Sequence, residues 1–312
     1  MKGMLIMKCP NCHTEKNVIG YGQRQTRKGI VRRYHCKRCR ITFSDSTSPH
    51  TQYPENVILH TIEQYNRGYP VTVARKMTGK KYQYSPPIST IYAWIKRYED
   101  ILTFTKLRRK YHLDPDQLIT VHKLDHGQIY PFKYHNLKLN IHSKGRPELR
   151  RYINWVERSL DRSMFLKGPR ASSLRIDREA VIKEVDSRLP EMTRMALNSK
   201  PRNSRLSPHE MVESFFLIND SSTVTTELPV FLYPRETDLK IEDALSGHID
   251  LIQVRYGTLH ILDYKPDLNQ PKKYIDQLTL YRDALQKRTS IPKEKIKIEI
   301  FNQYSHYEII QK

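Results

Sequence analysis

Two runs rich in apolar side chains flank the tripeptide RYG near the carboxyl end of the chain. The segments cover residues 248–254 and 258–264, and Gly257 lies between them. This pattern is typical of two β-strands that pair through a short turn. Because successive side chains of a strand point to opposite faces, Asp263 and Lys265 are expected to project from the same face.

Asp250, in the first strand, comes close to Asp263 if the two strands pair as neighbours. Two carboxylates and an ammonium group at the edge of a buried sheet are costly without compensation. Mg²⁺ provides that compensation, because it takes carboxylate and carbonyl oxygens as ligands. We therefore predict metal ligands at Asp250, Asp263 and the backbone oxygen of Tyr264. Lys265 is then expected to orient or help deprotonate an attacking water. The alternative is an ordinary surface hairpin with solvated acids.

A helix is predicted before these strands, in the segment SPHEMVESFFLIND. Ser207 is a suitable cap for its first turn. His209 and Glu213 lie four residues apart at the rim of the apolar stripe, whereas Glu210 points away. Either side chain could therefore reach a metal ion held by the two strands. The alternative is that both are solvated residues of the helix rim.

The segments that follow complete a domain of mixed helix and strand. Gln277 and Tyr281 lie four residues apart on a predicted helix and share one of its faces. Residues 291–301 alternate as a later strand, and residues 307–310 are expected to add an edge strand. We therefore predict an α/β domain with a central mixed sheet over residues 206–312.

Three short motifs of this domain occur in a recognisable order. GHID, LDYK and QLTLY resemble the G-x-x-D, D-x-K and Q-x-x-x-Y pattern of the PD-(D/E)XK nuclease superfamily, in its RecB/Cas4-like branch. The preceding TELPVFL is similar to the strand that leads into this pattern. The resemblance implies a restriction-endonuclease-like fold and Mg²⁺- or Mn²⁺-dependent hydrolysis of nucleic-acid phosphodiesters. It implies that Asp250 and Asp263 bind the metal and that Lys265 lies at the nucleophilic water. This branch usually has a His or Glu on a helix before the sheet that completes the metal shell, so the resemblance favours His209 as a further ligand and Glu213 after it. An imidazole ligand favours Mn²⁺ somewhat over Mg²⁺. Gln277 and Tyr281 would steady the site or contact the nucleic-acid strand.

The four cysteines lie in two C-x-x-C pairs at the amino end, at Cys9, Cys12, Cys36 and Cys39. Four thiolates in this arrangement predict a tetrahedral Zn²⁺ site or, less often, an iron site. Disulfides are the alternative, and an intracellular location argues against them. The segment resembles the zinc ribbon of insertion-sequence transposases, including the RYHC-x-x-C-x-x-x-F run that ends at Phe43. We predict a small β zinc ribbon over residues 1–50, with structural zinc.

Cations are dense in this ribbon, and no acid lies among them. Such a run is either a solvated surface or a site for phosphate contacts, and the lack of nearby acids favours phosphate contacts. The cations are Arg24, Arg27, Lys28, Arg32, Arg33, Lys37, Arg38 and Arg40.

Three short helices are predicted over residues 51–105, a helical DNA-binding module. They end near Gly68, near Gly79 and near Ile101. The pattern resembles the helix-turn-helix module that follows the ribbon in such transposases. A plain three-helix bundle is the alternative. Five residues flank the apolar stripe of the third helix and are expected to face the major groove: Thr90, Tyr92, Ala93, Lys96 and Arg97.

Residues 106–205 are predicted as a mostly helical, basic linker region. Its interleaved basic and aromatic residues suit nucleic-acid contacts without being diagnostic of them. The chain is therefore expected to be multidomain, with its ribbon and helical module in front of the α/β domain.

The net charge of the chain indicates which kind of partner it binds. The chain has 312 residues, with 54 Lys and Arg against 33 Asp and Glu, which gives a formal net charge of +21. This excess favours a polyanion such as DNA over a membrane surface, since no lipid-anchoring motif occurs. No stretch is long enough to span a membrane, and no signal peptide is present, so a cytoplasmic location is expected.

Three hypotheses for function follow from these patterns. The leading one is a metal-dependent DNA nuclease, targeted by the ribbon and helical module, from a mobile element or a DNA repair or recombination pathway. The second is a DNA-binding regulator or accessory recombination factor whose nuclease fold does not cut. The third is a transposase, although strand-transfer acids usually belong to another fold. Cutting both strands of a duplex would favour a homodimer. An iron–sulfur cluster near the nuclease motifs is not expected, because no cysteine lies there.

Overall fold

The amino-terminal segment forms a small antiparallel sheet. The structure, a computed structural model, describes residues 9, 12, 14–26, 29–44, 53–125, 129–145, 147–161, 163–199 and 205–311. Three strands pair in chain order, and β2 is the central one. The strands are β1 (Val18–Thr26), β2 (Gly29–Cys36) and β3 (Ile41–Ser44). The predicted hairpin between the two cysteine pairs is therefore present.

Four helices follow, three of them at the predicted positions. A proline precedes each of the first three helices, where its fixed φ angle suits a helix start. The predicted end of the second helix at Gly79 is wrong, because that helix continues until Gln83 adopts a left-handed φ of 60°. The third helix ends at Tyr98, three residues before the predicted end. The helices are α1 (Glu55–Asn66), α2 (Val71–Tyr82), α3 (Ile88–Tyr98) and α4 (Phe104–Arg108).

The rest of the described chain is built on one eight-stranded sheet. Its strands are β4 (Ile119–Asp125), β5 (Ile129–His135), β6 (Ala180–Glu184), β7 (Thr223–Leu232), β8 (Leu245–Arg255), β9 (Thr258–Tyr264), β10 (Ile296–Phe301) and β11 (His306–Gln311). Their order in the sheet is β4-β5-β7-β8-β9-β10-β11-β6. Strands β9 and β10 are parallel and the other neighbours are antiparallel, so the predicted mixed central sheet is confirmed.

In the described part of the chain, six further helices accompany this sheet. They are α5 (Asn136–Ser143), α6 (Pro147–Ser159), α7 (Met164–Lys167), α8 (Leu189–Asn198), α9 (Pro208–Asn219) and α10 (Ile275–Thr289). Short 3-10 turns lie at Ala171–Ser173, Pro234–Glu236, Pro271–Tyr274 and Lys293–Lys295. Among the described residues, no helix is both long enough and apolar enough to cross a lipid bilayer.

Residues 106–205 are not a linker as predicted, although α5 to α8 give the segment the helical content that was expected. Strands β4 and β5 extend the sheet beyond β7, and β6 forms its opposite edge beside β11. The predicted edge position of β11 is therefore wrong as well. Phe132 and Tyr134 of β5 are buried against the helices, while basic and polar residues occupy much of the rest of the hairpin. That mixture hides the strand pattern, because polar residues interrupt the apolar alternation.

The helical module and the sheet share one hydrophobic core. One face of the sheet packs against α6 and α10. On the other face, Ile58 and Ile91 of the helical module belong to the same buried cluster as Leu262 of β9. The buried amide of Asn66 donates to Asn219 of α9 at 2.8 Å. The helices are therefore part of the same folded unit as the sheet, and no linker separates the two in space.

Candidate metal and catalytic site

Helix α9 begins with a capping box that orients the first candidate ligand. The Ser207 hydroxyl accepts from the Glu210 backbone N–H at 3.2 Å, and the Glu210 carboxylate accepts from the Ser207 N–H at 2.8 Å. Glu210 is thereby held at the helix end and away from the sheet, as expected. His209 and Glu213 lie on the side of α9 that faces β8, and Glu213 is fully buried.

The imidazole of His209 connects α9 to β8. Its Nε2 lies 2.8 Å from Oδ2 of Asp250 and 3.5 Å from Oε1 of Glu213. Ligand atoms of all three residues lie within 4.8 Å of one another. Burial would lower the pKa of His209, but the Asp250 carboxylate raises it to about 9. In the absence of a cation, His209 therefore carries the positive charge that these carboxylates require.

Strand pairing brings the two predicted aspartates together. Leu251 of β8 pairs with Leu262 of β9, so Asp250 lies opposite Asp263. The Tyr264 backbone N–H donates to Asp250 Oδ2 at 2.8 Å. Burial opposes ionisation of Asp250, but His209 keeps its pKa below the ordinary value. The tight turn at the end of this hairpin uses positive φ angles at Tyr256 and Gly257, of 49° and 73°.

Asp263 and Lys265 form an ion pair on the same face, as their spacing predicts. Lys265 Nζ lies 2.6 Å from Asp263 Oδ2. Burial and the neighbouring Asp250 raise the pKa of Asp263 to about 7. Burial would lower the pKa of Lys265, yet the two aspartates raise it above its ordinary value. The Lys265 ammonium is therefore held in place as a cation by Asp263. It also lies 5.2 Å from the ring centroid of Tyr274.

Two glutamates complete a cluster of acids at this point. Neither oxygen of Glu213 accepts a hydrogen bond from a described donor, and burial and Glu227 raise its pKa well above the ordinary value. Glu227 of β7 lies opposite Asp250, between the pairs Thr226–Leu251 and Leu228–Ile249. It adopts a left-handed φ of 52°, and burial followed by Asp250 raises its pKa to about 7. Sequence reasoning missed Glu227, although a lone acid within an apolar strand is a signal that identifies it.

Gln277 and Tyr281 of α10 lie beneath the same site. The Gln277 amide donates to the Tyr281 hydroxyl at 2.9 Å, and both residues are buried. Burial, and then Asp263, raises the pKa of Tyr281 above its ordinary value. Gly247 makes this approach possible, because a Cβ atom there would collide with the Tyr281 ring. Helix α10 therefore supports the site through a contact that requires glycine.

A cleft of about 180 Å³ opens at this cluster. Its lining includes His209, Glu227, Asp250 and Tyr281. The donor set fits a divalent cation, because one imidazole and several carboxylates converge and the Glu213 oxygens are buried without donors. The tightest group is His209, Glu213 and Asp250. Asp263 lies beside it and is engaged by Lys265.

The amino-terminal cysteines form a second cluster that is able to hold a metal. The Sγ atoms of Cys9, Cys12, Cys36 and Cys39 lie within 4.8 Å of one another, and none of the four is in a disulfide. Hydrogen bonds from the Thr14 side chain and backbone lower the pKa of Cys12 to about 6. A tetrahedral zinc ion takes four such thiolates as ligands.

The predicted nucleic-acid contacts lie on two surfaces. In the ribbon, Arg33 lies 5.2 Å from the Tyr21 ring. Other ribbon cations are exposed: Arg24, Arg32, Lys37, Arg38 and Arg40. Arg27 and Lys28 lie outside the described residues. On α3, Tyr92, Ala93, Lys96 and Arg97 are exposed, and Thr90 is half-buried. Their spacing along the helix places them away from its buried stripe.

Comparison with known proteins gives one match. A model of the PD-(D/E)XK nuclease superfamily matches residues 140–308, more than half of the chain. Searches of curated proteins and of solved structures gave no significant match. The match contains α9, β7 to β10 and α10, the elements that carry the acidic cluster and the Asp263–Lys265 pair. The chain therefore belongs to the PD-(D/E)XK nuclease superfamily, whose members are generally nucleases that use divalent metal ions.

Proposed function

We propose that this protein is a Mg²⁺- or Mn²⁺-dependent DNA nuclease, directed to DNA by its cysteine-rich ribbon and helical module. The observation that carries the proposal is the convergence of three candidate ligands with an aspartate–lysine pair. His209, Glu213 and Asp250 come from α9 and β8, and Asp263 and Lys265 come from the end of β9. Burying several charged side chains together costs free energy, and such clusters are typical of functional sites.

Each residue has a defined task in phosphodiester hydrolysis. His209, Glu213 and Asp250 would hold the cation, with Asp263 and the Tyr264 carbonyl as further ligands. When bound, the cation supplies stabilisation for the charge that develops on the phosphate. Asp263 holds the Lys265 ammonium, which orients the attacking water and balances its developing negative charge. Gln277 and Tyr281 position the site from below or contact the strand.

The choice of DNA as the partner rests on charge and on the amino-terminal half. The net charge of +21 favours a polyanion, and the ribbon and α3 carry exposed cations. Structural zinc at the four cysteines would hold the ribbon together. We place the protein in the cytoplasm, where thiolates stay reduced. A homodimer is expected if both strands of a duplex are cut.

The test is hydrolysis of end-labelled single-stranded DNA, duplex DNA and RNA with Mg²⁺, Mn²⁺ or EDTA. Asp263→Asn keeps the shape of the side chain but removes its charge and releases Lys265. We expect its cleavage rate to fall by about a hundredfold or more, with nucleic-acid binding retained. Asp267→Asn is the matched control, because Asp267 is exposed a few residues further along.

Two outcomes would contradict the proposal. One is a wild-type protein that binds DNA but cuts none of the substrates with either metal, which would favour a DNA-binding regulator or accessory recombination factor. The other is cleavage by Asp263→Asn at the wild-type rate, which would remove the site described above from the reaction.

A further inference from the structure

One wall of the cleft consists of aromatic and cationic side chains to which hydrolysis assigns no role. It is formed by Tyr130, Phe165, Arg170 and His248, and we call these four residues the side wall. They come from β5, α7, the segment after α7 and β8. The same cleft is also lined by the candidate metal ligands His209 and Asp250 and by the acid Glu227.

Two rings of the side wall stack on each other, and a third lies against them at an angle. The Tyr130 and His248 rings are nearly parallel, with centroids 3.8 Å apart and planes at 9°. Phe165 lies next to His248, with centroids 5.5 Å apart. Strand β7 lies between β5 and β8, so the contact between Tyr130 and His248 reaches across a whole strand. The stack therefore joins separate elements at the mouth of the cleft.

Arg170 adds a positive charge to this stack. Its Nη1 donates to the Tyr130 hydroxyl at 2.6 Å, and its guanidinium lies 5.6 Å from the centre of that ring. The backbone here is held against β8, because the Ser246 N–H donates to the Pro169 carbonyl at 3.0 Å. Gly168 allows the close approach, since a Cβ atom there would collide with the Ala244 carbonyl. The position of Arg170 is therefore built into the fold.

The side wall lies directly beside the candidate metal ligands. His248 and Asp250 are two residues apart on β8, so their side chains leave the same face of the strand. A phosphate held next to Asp250 would thus have its neighbouring nucleotide beside His248, Tyr130 and Arg170. Tyr130 and His248 are half-buried, Phe165 is buried and Arg170 is exposed. Partly exposed aromatic rings beside a cation are features by which proteins bind single-stranded nucleic acid, since rings stack with bases and the cation contacts phosphate.

We propose that the side wall is a binding subsite for an unpaired nucleotide next to the phosphate that is cut. The preferred substrate is then single-stranded DNA or an unpaired end of a duplex, because a base within a duplex is already stacked and paired. This inference rests on the proposed nuclease function and adds its substrate class. Tyr130 lies outside residues 140–308, so the subsite depends on a hairpin that the family match does not include.

The first test compares cleavage of an oligonucleotide of about 12 nucleotides, single-stranded, as a blunt duplex, and as a duplex with an unpaired end. Wild-type protein is expected to prefer the unpaired substrates. Tyr130→Leu and Arg170→Gln should each lower kcat/KM on them by about tenfold to a hundredfold, with little change on blunt duplex. Tyr304→Leu and Lys240→Gln are matched controls, because both residues are exposed and neither lines the cleft.

The second test reads stacking without hydrolysis. Asp263→Asn protein is mixed with oligonucleotides that carry 2-aminopurine at successive positions. Quenching of the 2-aminopurine fluorescence then reports that this base stacks on a protein ring. We expect quenching at one position, its loss in Asp263→Asn/Tyr130→Leu, and its retention in Asp263→Asn/Tyr130→Phe, which keeps the ring. The retained signal in the phenylalanine variant separates a stacking role from a purely structural one.

The two proposals fail in different ways. If wild-type protein cuts DNA but Tyr130→Leu and Arg170→Gln keep the wild-type kcat/KM on the unpaired substrates, the subsite is wrong and the nuclease function stands. If wild-type protein cuts nothing, the nuclease function fails. In that case the 2-aminopurine signal still decides the subsite, and an absence of quenching at every position would overturn it.

Discussion

Individual acids of the site have different charges because their neighbours differ. Asp250 accepts from the Tyr264 N–H and lies against the His209 imidazole, which keep it ionised in spite of burial. Asp263 and Glu227 are also shielded from water, but each has the Asp250 charge nearby, so the pKa of each rises to about 7. Groups of the same chemical type thus acquire separate roles from their surroundings. Asp250 is the carboxylate best prepared to receive a cation.

Glu299 of β10 is buried and forms ion pairs or hydrogen bonds with three side chains. Glu299 lies 2.6 Å from His260 Nδ1, 3.2 Å from His306 Nε2 and 3.3 Å from Arg255 Nη1. Burial would raise its pKa, but hydrogen bonds from the two histidines and the charge of Arg255 lower it far below the ordinary value. An acid with a lowered pKa stabilises the folded state above the pKa of the unfolded chain, about 4.3, and loses this contribution as the pH falls.

We therefore predict that Glu299→Gln lowers the free energy of unfolding by about 3 kcal/mol at pH 7. The difference from wild type should shrink as the pH falls below about 4.3, where wild-type Glu299 loses its advantage. Urea denaturation at a series of pH values measures it. Glu294→Gln is the control, because Glu294 is exposed. A difference that stays constant from pH 7 to pH 3.5 would contradict the expected titration.

Strand register and helix approach create the site at the level of secondary structure. The β8–β9 hairpin sets Asp250 opposite Asp263, and a shift of β9 by one residue would move Asp263 to the other face of the sheet. Helix α9 brings His209 against Asp250, and α10 brings Tyr281 against Gly247. The position of α10 depends on the lack of a side chain at Gly247.

Gly247→Ala tests this helix contact. The added methyl group must displace the Tyr281 ring, so we expect a loss of about 2 kcal/mol in stability and a fall in cleavage rate. Thermal unfolding and the hydrolysis assay measure the two effects. Gly145→Ala provides a control, since a Cβ atom there meets nothing within 4 Å. Unchanged stability and activity in Gly247→Ala would show that α10 is not held in this way.

At the scale of the whole molecule, the helical module and the nuclease sheet behave as one body. Ile91 and Trp94 of α3 belong to the same buried cluster as Phe216 of α9 and Leu262 of β9. The Asn66–Asn219 hydrogen bond lies within this interface. Exposed residues of α3 are therefore held in a fixed relation to the candidate catalytic site.

This shared core predicts cooperative unfolding. Ile91→Ala removes a fully buried side chain and is expected to cost about 3 kcal/mol. Hydrogen exchange should accelerate together in peptides from α1 and from β9, although the substitution lies in α3. Tyr92→Ala, on the exposed side of the same helix, should leave exchange nearly unchanged. Faster exchange in α1 alone would indicate a separate domain.

The ribbon is expected to contribute binding without contributing chemistry. Cys36→Ser removes one thiolate from the four-cysteine cluster, so zinc content should fall and the β1–β3 sheet should unfold. DNA affinity should fall, most clearly near physiological salt, while the cleavage rate at saturating substrate stays close to wild type. Zinc analysis, binding titrations and single-turnover kinetics measure these effects. Loss of the saturated rate would assign the ribbon a role in the reaction itself.

Local patterns in the sequence determine much of the candidate site. The β8–β9 hairpin, α9 with its Ser207 cap, and the positions of Asp250, Asp263 and Lys265 follow from periodicities within short segments. Such periodicities survive in the sequence because each element buries one face on its own. The spacing of Gln277 and Tyr281 predicts for the same reason that they share one face of α10.

Only the tertiary structure decided which distant segments meet these residues. Glu227 becomes part of the site because β7 pairs with β8, and Tyr130 reaches it because β5 lies beyond β7. The helical module joins the nuclease core for a similar reason, through contacts such as Asn66 with Asn219. Strand order and helix docking depend on the packing of complementary surfaces far apart in the chain, and periodicity within one segment carries no record of them.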